Sequence, residues 1–529
     1  MLIIHNLAYI HANRELLFEN INLTINRHDK VALAGNNGTG KSTLLKLIAG
    51  ILQPSSGQIR TAAKPYYVPQ LFGQFNHLSI AQALQVHEPL QALHEILDGR
   101  ATEQNMALLN DDWAIEERCR EALAHWQLPG LDLWQKMETL SGGQKTKVFL
   151  AGIAIHRPGI VLLDEPSNHL DTDGRQLLYD FTRSSSATLV IVSHDIKLLK
   201  QLDTICELNK NGINVYGGNY DFYAAQKQLE SNALDADLGN KEKALRKAKE
   251  VERETAERRQ KLDARGRKKQ EKAGLPAILM NTFKNNAEKS TSRLKGVLAE
   301  KAGEISQELN DLRKALPDPG KMKFDFGSTA LHKGKILFSA KGINHRYAQG
   351  MLWRQGLDLQ IASGERMALK GLNGSGKTTL VKIILGGIEP AAGIAKRADN
   401  KIIYIDQDYS IINNLLNVYE QAQAFNLSAL QEHEVKKRLS RFLFTKYHWD
   451  KPCGALSGGE KMRLALCCLN ISSRAPDIII LDEPTNNLDI QNVEILSAAV
   501  NAYEGTLIVI SHDQHFLEQL NLERTIDLE

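Results

Sequence analysis

Two lysines sit in settings that suit phosphate chemistry. Lys41 closes the glycine-rich run Gly35-Asn36-Asn37-Gly38-Thr39-Gly40-Lys41-Ser42-Thr43, and Lys377 closes Gly371-Leu372-Asn373-Gly374-Ser375-Gly376-Lys377-Thr378-Thr379. Glycines let a backbone wrap with its N–H groups pointing inward, a following helix N-terminus favours negative charge, and the lysine reaches the outer phosphates. Ser42 and Thr378 then stand where a hydroxyl holds Mg²⁺. Two acidic pairs supply the rest: Asp164-Glu165 and Asp482-Glu483 each end a run of aliphatic residues. A carboxylate emerging at the C-terminal edge of a parallel strand can support Mg²⁺ through water, and the next glutamate can orient or deprotonate an attacking water.

The elements that must position these groups occur twice in the same order. Val31-Ala-Leu-Ala and Met367-Ala-Leu read as strands before the loops, and Ser42-Thr-Leu-Leu and Thr378-Thr-Leu-Val open helices after them. Leu140-Ser141-Gly142-Gly143-Gln144 recurs as Leu456-Ser457-Gly458-Gly459-Glu460, and Ser193-His194-Asp195 recurs as Ser511-His512-Asp513. Spacings repeat as well. Lys41 to Gln70 is 29 residues and Lys377 to Gln407 is 30, while both acidic pairs lie 30 residues before their histidine. Gln70 to Ser141 is 71 against 50 for Gln407 to Ser457. The first copy therefore carries an insertion, placed at about residues 86–108.

This set of motifs resembles the ATP-binding cassette ATPases, with Leu-Ser-Gly-Gly-[Gln/Glu] as the distinguishing stretch. The resemblance implies an α/β fold: two P-loop cassettes, each a RecA-like core with antiparallel β and α-helical subdomains. It also implies that the cassettes pack head to tail within one chain, an intramolecular cassette dimer in a monomer. Each ATP would lie between one phosphate loop and the opposite Ser-Gly-Gly, itself at a helix N-terminus. One site would then use Lys41, Ser42, Gln70, Asp164, Glu165 and His194, completed by Ser457, Gly458, Gly459 and Glu460. The other would use Lys377, Thr378, Gln407, Asp482, Glu483 and His512, completed by Ser141, Gly142, Gly143 and Gln144. Mg²⁺ would be held by Ser42, Gln70 and Asp164 and by Thr378, Gln407 and Asp482; Glu165 and Glu483 would be catalytic, with His194 and His512 on the γ-phosphate. Both copies keep lysine, glutamine, glutamate and histidine, which predicts two hydrolytically competent sites. Tyr347 suits adenine stacking in the second site; the first offers His11 or Tyr9.

Between the cassettes (1–223 and 326–529) lies a segment, 224–325, with no cassette element. Residues 241–295 hold 18 Lys and Arg against 8 Asp and Glu, although the whole chain is only +3. Lys241 to Lys272 is rich in Lys, Arg, Glu and Ala and predicts an exposed helix. Leu294, Leu298, Ala302, Ile305, Leu309, Leu312 and Leu316 recur at spacings of 3 and 4, predicting a second helix that stops at Pro317. A helical hairpin follows, with a tip at about 273–290 that includes the apolar run 274–283. Lys268, Lys269, Lys272, Lys284, Lys289, Arg293 and Lys295 flank that tip. This pairing of cations with an apolar end suits phosphate neutralisation inside a structured RNA.

Tandem cassettes joined by a basic helical linker look like the ABC-F family of ribosome-associated translation factors, and Gly217-Gly-Asn-Tyr220-Asp-Phe-Tyr223 resembles that family's approach to its linker. Membership implies binding at the ribosomal exit (E) site in the ATP-closed state, with the tip directed at the P-site tRNA and the 23S rRNA of the peptidyl-transferase centre. Hydrolysis would then release the protein. The insertion lies where members carry an arm, and the chain stops at Glu529, soon after the second histidine motif, so their C-terminal extension is not expected.

Composition agrees with a cytoplasmic protein. The 529 residues are 43% hydrophobic and 24% charged, with no apolar run near the roughly 18 residues needed to cross a bilayer. The first twenty residues lack a basic signal-peptide n-region. Five cysteines form no C-x-x-C pair, which disfavours a zinc-dependent repair ATPase. A chromosome-type ATPase would carry its coiled coil inside one cassette. The alternative that shares all the motifs is the ATPase subunit of an ABC transporter, for which a basic hairpin has no evident use.

Overall fold

The structure, a computed structural model, describes residues 1–11, 14–70, 73–272, 296, 300, 303–309, 332–347, 350–472, 475–486 and 488–528. Its contacts divide the chain into two compact units, Met1–Phe222 with Pro319–Glu529, and Tyr223–Asp318.

In the first unit each cassette is built on a parallel sheet. The first has the order Tyr66–Val68, Ile160–Asp164, Thr188–Val192, Lys30–Ala34, Thr204–Asn209, with Gly212–Tyr216 added antiparallel at the edge. The second repeats the order with Ile402–Ile405, Ile478–Asp482, Thr506–Ile510, Arg366–Gly371 and Arg524–Leu528, all parallel. Central strands buried on both faces read as continuous aliphatic runs, which is why Val161-Leu-Leu and Ile478-Ile-Ile-Leu show no alternation. Leu162, Leu163, Ile478 and Ile480 are fully buried. The phosphate-loop strand lies inside each sheet, with a neighbour on either side, so its C-terminal end opens at the same edge as the acidic pair.

A three-stranded antiparallel sheet flanks each core, Leu16–Ile25, Leu2–Ile10 and Ser56–Thr61 in the first cassette and Leu357–Ala362, Ile336–Asn344 and Ala392–Arg397 in the second. Helical subdomains contain Ile115–His125 and Gly142–His156, matched by Glu432–Arg441 and Gly458–Ile471. The first subdomain also holds the helices His87–Leu97 and Glu103–Leu109, which occupy the longer spacing seen before Ser141. Leu90, Leu93 and Leu109 are buried, so the extra helices have a packed face. All five cysteines are free and buried.

A 53-residue helix, Tyr220–Lys272, most of it in the second unit, begins 21 residues before the Lys241 start expected from composition. Gln, Leu, Ala and Asn in 224–240 are compatible with helix, and Gly239 sits inside it at a cost of about 1 kcal/mol relative to Ala. Residues 303–309 are helical, with Leu309 and Leu238 buried, and Lys241 forms an ion pair with Glu308. The ion pair brings Lys241 and Glu308, 67 residues apart, together. The tip, Leu294, Leu298, Ala302, Leu312, Leu316, Lys284, Lys289, Arg293 and Lys295 lie outside the described residues. Lys268, Lys269 and Lys272 fall on the long helix. Among the described residues no helix is long and apolar enough to cross a membrane.

Candidate functional site

The two loops have nearly the same backbone. Gly40 and Gly376 cap the following helices with φ of 97° and 91°. A side-chain carbon at Gly40 would lie 2.7 Å from Leu17 Cδ2, and at Gly376 2.6 Å from Leu352 Cδ2, so the left-handed turn and the close approach both require glycine. Lys41 Nζ donates to the carbonyls of Gly35 (2.6 Å) and Asn36 (3.1 Å), and Lys377 Nζ to those of Gly371 (2.7 Å) and Leu372 (2.9 Å). Each ammonium is thus held over its own loop. Burial lowers the pKa of Lys41, opposed by the charges of Glu165, Asp489 and Asp164.

Ser42 Oγ donates to Asp164 Oδ1 at 3.0 Å, and Tyr67 donates its hydroxyl to Asp164 Oδ2 at 3.0 Å. In the second cassette Tyr404 donates to Asp482 Oδ2 at 2.7 Å. These tyrosines, one on each edge strand, orient the aspartates, a role that the motif spacing did not reveal. The hydroxyl and carboxylate oxygens gathered here are hard donors of the kind Mg²⁺ prefers.

Glu165 and Glu483 sit one residue beyond the strand with φ of 51° and 48°, a left-handed conformation that turns their side chains back towards the histidine loop. Glu165 N donates to Val192 O and Glu483 N to Ile510 O, both at 2.8 Å. His194 and His512 donate their backbone N–H to Oε2 of the respective glutamate at 3.3 and 3.4 Å. The imidazole Nε2 atoms lie 3.3 and 3.5 Å from the other carboxylate oxygen. Even so, among the described residues Glu165 Oε1 and Glu483 Oε1 are buried without a hydrogen-bond partner. A buried oxygen left open beside a phosphate-type lysine is suited to receive a water or a phosphate-bound group. Burial raises Glu165 to about 8 and Glu483 to about 7, and lowers His194 to about 3 and His512 to about 4. The imidazoles are therefore neutral at pH 7, and the glutamates have proton affinities near that pH, as a general base requires.

The cassettes meet at these loops. Asn37 N donates to Asp489 Oδ2 (3.3 Å), and Asn373 Nδ2 donates to His169 O (3.2 Å). A side-chain carbon at Gly143 would lie 3.2 Å from Asn373 Nδ2, so the first signature segment borders the second phosphate loop. On the other side the link runs through Asp489, which accepts from Asn492, the residue against which Gly459 packs. Asp489 also reaches Lys41 electrostatically, and Asp171 reaches Lys377. Ser141 and Ser457 cap their helices, and Gln144 and Glu460 bond back to the serine N–H to complete capping boxes. Those two side chains are used locally, Glu460 also pairing with Lys451 at 3.1 Å.

His169 is the residue that motif reading missed. Its Nδ1 lies 3.2 Å from Gln407 Nε2 of the other cassette, within the segment Ser167-Asn-His-Leu-Asp171 that directly follows the acidic pair. Tyr347 is half exposed, bonds Thr379 Oγ1 at 2.9 Å, and lines a cleft of about 780 Å³ with Gly374, Lys377, Gln407, Asp482 and Glu483. Tyr9 instead packs against the first core, with His11 edge-on to it at 5.5 Å.

Residues 18–168 and 354–486 match the family described as ABC transporter. Probable ATP-binding protein YbiT of Escherichia coli O157:H7 is 29% identical over 95% of this chain and 92% of its own length. ABC transporter F family member 5 of Arabidopsis thaliana is 28% identical over 97% and 73%. Among solved structures, the archaeal ribosome recycling factor aABCE1, in complex with a ribosomal stalk protein, shares the fold at a TM-score of 0.60 and 19% identity, covering 99% of this chain and 87% of that one.

Proposed function

Because the chain belongs to the ATP-binding cassette family and is an ATPase of its ABC-F type, we propose that it closes on two ATP molecules and in that state binds the ribosome at the exit site. Its basic linker then reaches the P-site tRNA and the 23S rRNA of the peptidyl-transferase centre, and hydrolysis releases it. The protein works as a cytoplasmic monomer.

The observation that carries the reading is the reciprocal approach of each phosphate loop to the opposite cassette, Asn37 to Asp489 and Asn373 to His169. Support for an RNA partner comes from the excess of positive charge in 241–295 and from the fold shared with a protein named as a ribosome recycling factor.

At each site Lys41 or Lys377 binds the outer phosphates, while the loop N–H groups and helix N-terminus take up the remaining negative charge. Ser42, Gln70 and Asp164 in one site, and Thr378, Gln407 and Asp482 in the other, would hold Mg²⁺, which neutralises charge on the phosphate oxygens. Tyr67 and Tyr404 keep the aspartates oriented. Glu165 and Glu483 take the proton of the attacking water at the open Oε1, and His194 and His512, neutral, steady that carboxylate and contact the γ-phosphate.

The test is co-sedimentation of the Glu165→Gln, Glu483→Gln protein with ribosomes. It should pellet with them in ATP and remain in the supernatant in ADP. Failure to pellet in ATP, with ATP binding intact, would remove the ribosome from the proposal.

A further inference from the structure

From Asp164 to Asp195 the first cassette corresponds to Asp482 to Asp513 of the second at a constant offset: Asp164 with Asp482, Asp171 with Asp489, His194 with His512 and Asp195 with Asp513. By the same offset Arg175 corresponds to Val493 and Tyr179 to Ser497. One cassette thus carries a cation and a phenol where the other has an aliphatic side chain and a small hydroxyl.

Arg175 is buried on the helix Thr172–Ser184. Its Nε donates to Leu170 O at 3.3 Å and its Nη1 lies 3.5 Å from Asp195 Oδ2, the oxygen that also accepts from the Tyr179 hydroxyl at 2.6 Å. Asp195 follows His194 directly, so the guanidinium is tied to the histidine turn of the first site. Across the cassette boundary, Arg175, Tyr179 and Asp195 line a cavity of about 570 Å³ together with His512, Asp513 and Gln514. Asp513, which follows His512 directly, lines the same cavity, so the guanidinium shares that space with an acidic group of each histidine turn. Burying a cation is costly unless it is paired, and one aspartate of its own cassette already accompanies this one. Its position between two histidine turns is an added feature that pairing alone does not require. Val493 can supply none of this to the first site.

We propose that Arg175 is a positioning residue of the second ATP site, acting in trans on the His512–Asp513 turn, whose imidazole pairs with Glu483, and linking it to the His194–Asp195 turn of the first. The two sites are consequently unequal, and turnover at the second depends on a side chain for which the first has no counterpart. Reciprocity governs binding free energies, not turnover, so one-way kinetic dependence is permitted. This inference rests on the assignment of Glu165 and Glu483 as the bases of the two sites.

Steady-state ATP hydrolysis in single-site proteins tests it. Glu165→Gln leaves the second site active and Glu483→Gln the first, and Arg175→Met, which keeps the aliphatic stem, is added to each. We expect kcat to fall about tenfold or more in the Glu165→Gln protein with KM moved less than about threefold, and to change less than about twofold in the Glu483→Gln protein. Arg175→Lys should restore most of the loss, and Tyr179→Phe should reproduce a smaller loss in the Glu165→Gln protein alone. Equal losses in both backgrounds, or no recovery with lysine, would overturn the proposal while leaving the glutamates in place. Hydrolysis at the wild-type rate by the Glu165→Gln, Glu483→Gln protein would instead remove the bases themselves, and the proposal with them.

Discussion

The backbone N–H of Asn37 donates to the carboxylate of Asp489, 452 residues further along the chain, at 3.3 Å. A loop that holds phosphate in one cassette is thereby joined to the segment behind the acidic pair of the other, and Asp489 itself is held by two bonds from Asn492.

Replacing Asp489 with Ala should weaken ATP-dependent closure. A partly buried, charge-assisted hydrogen bond is lost, worth about 1.5 to 3 kcal/mol, so the apparent ATP affinity should fall about tenfold or more. Titration with a fluorescent ATP analogue would read this, and an unchanged affinity would argue that the contact is incidental.

Glu165→Gln with Glu483→Gln should abolish hydrolysis by a factor of about 100 or more while ATP binding survives, since general-base assistance contributes roughly that much. Phosphate release and nucleotide retention, measured on the same protein, separate the two. Continued hydrolysis would deny these glutamates their role.

Gly40→Ala should damage the first site through the backbone. The residue stands at φ 97°, with Leu17 Cδ2 2.7 Å from the position of the new methyl. Strain of about 1 to 3 kcal/mol should fall on the loop, reducing ATP binding at that site with a smaller effect on the thermal midpoint. Equal binding by mutant and wild type would contradict the close approach.

Lys268→Ala, Lys269→Ala and Lys272→Ala, introduced together on the long helix, should weaken ribosome association in ATP and reduce its salt dependence by a log–log slope of about 2 to 3, as expected for up to three lost phosphate contacts. Hydrolysis without ribosomes should be unchanged. An unaltered salt slope would place the RNA contact elsewhere.

Much of the chemistry could be read along the chain because it is local. A phosphate loop needs glycines, a lysine and a helix start within nine residues, and an acidic pair needs only the strand that precedes it, so Lys41, Lys377, Asp164 and Asp482 were recognisable from type and spacing. The duplicated order of motifs likewise implied two cassettes, and the charge balance of 241–295 a basic linker between them. What a motif cannot state is which residue of one copy faces which residue of the other. Tyr67 and Tyr404 reach their aspartates across neighbouring strands, and His169 approaches Gln407 from 238 residues away. The unlike pair Arg175 and Val493 gains meaning only when two histidine turns are brought to one cavity. Sequence determined the parts of each site because short-range geometry is set by backbone conformation. Tertiary packing decided their partners, because contacts between distant segments depend on how whole sheets and helices come together.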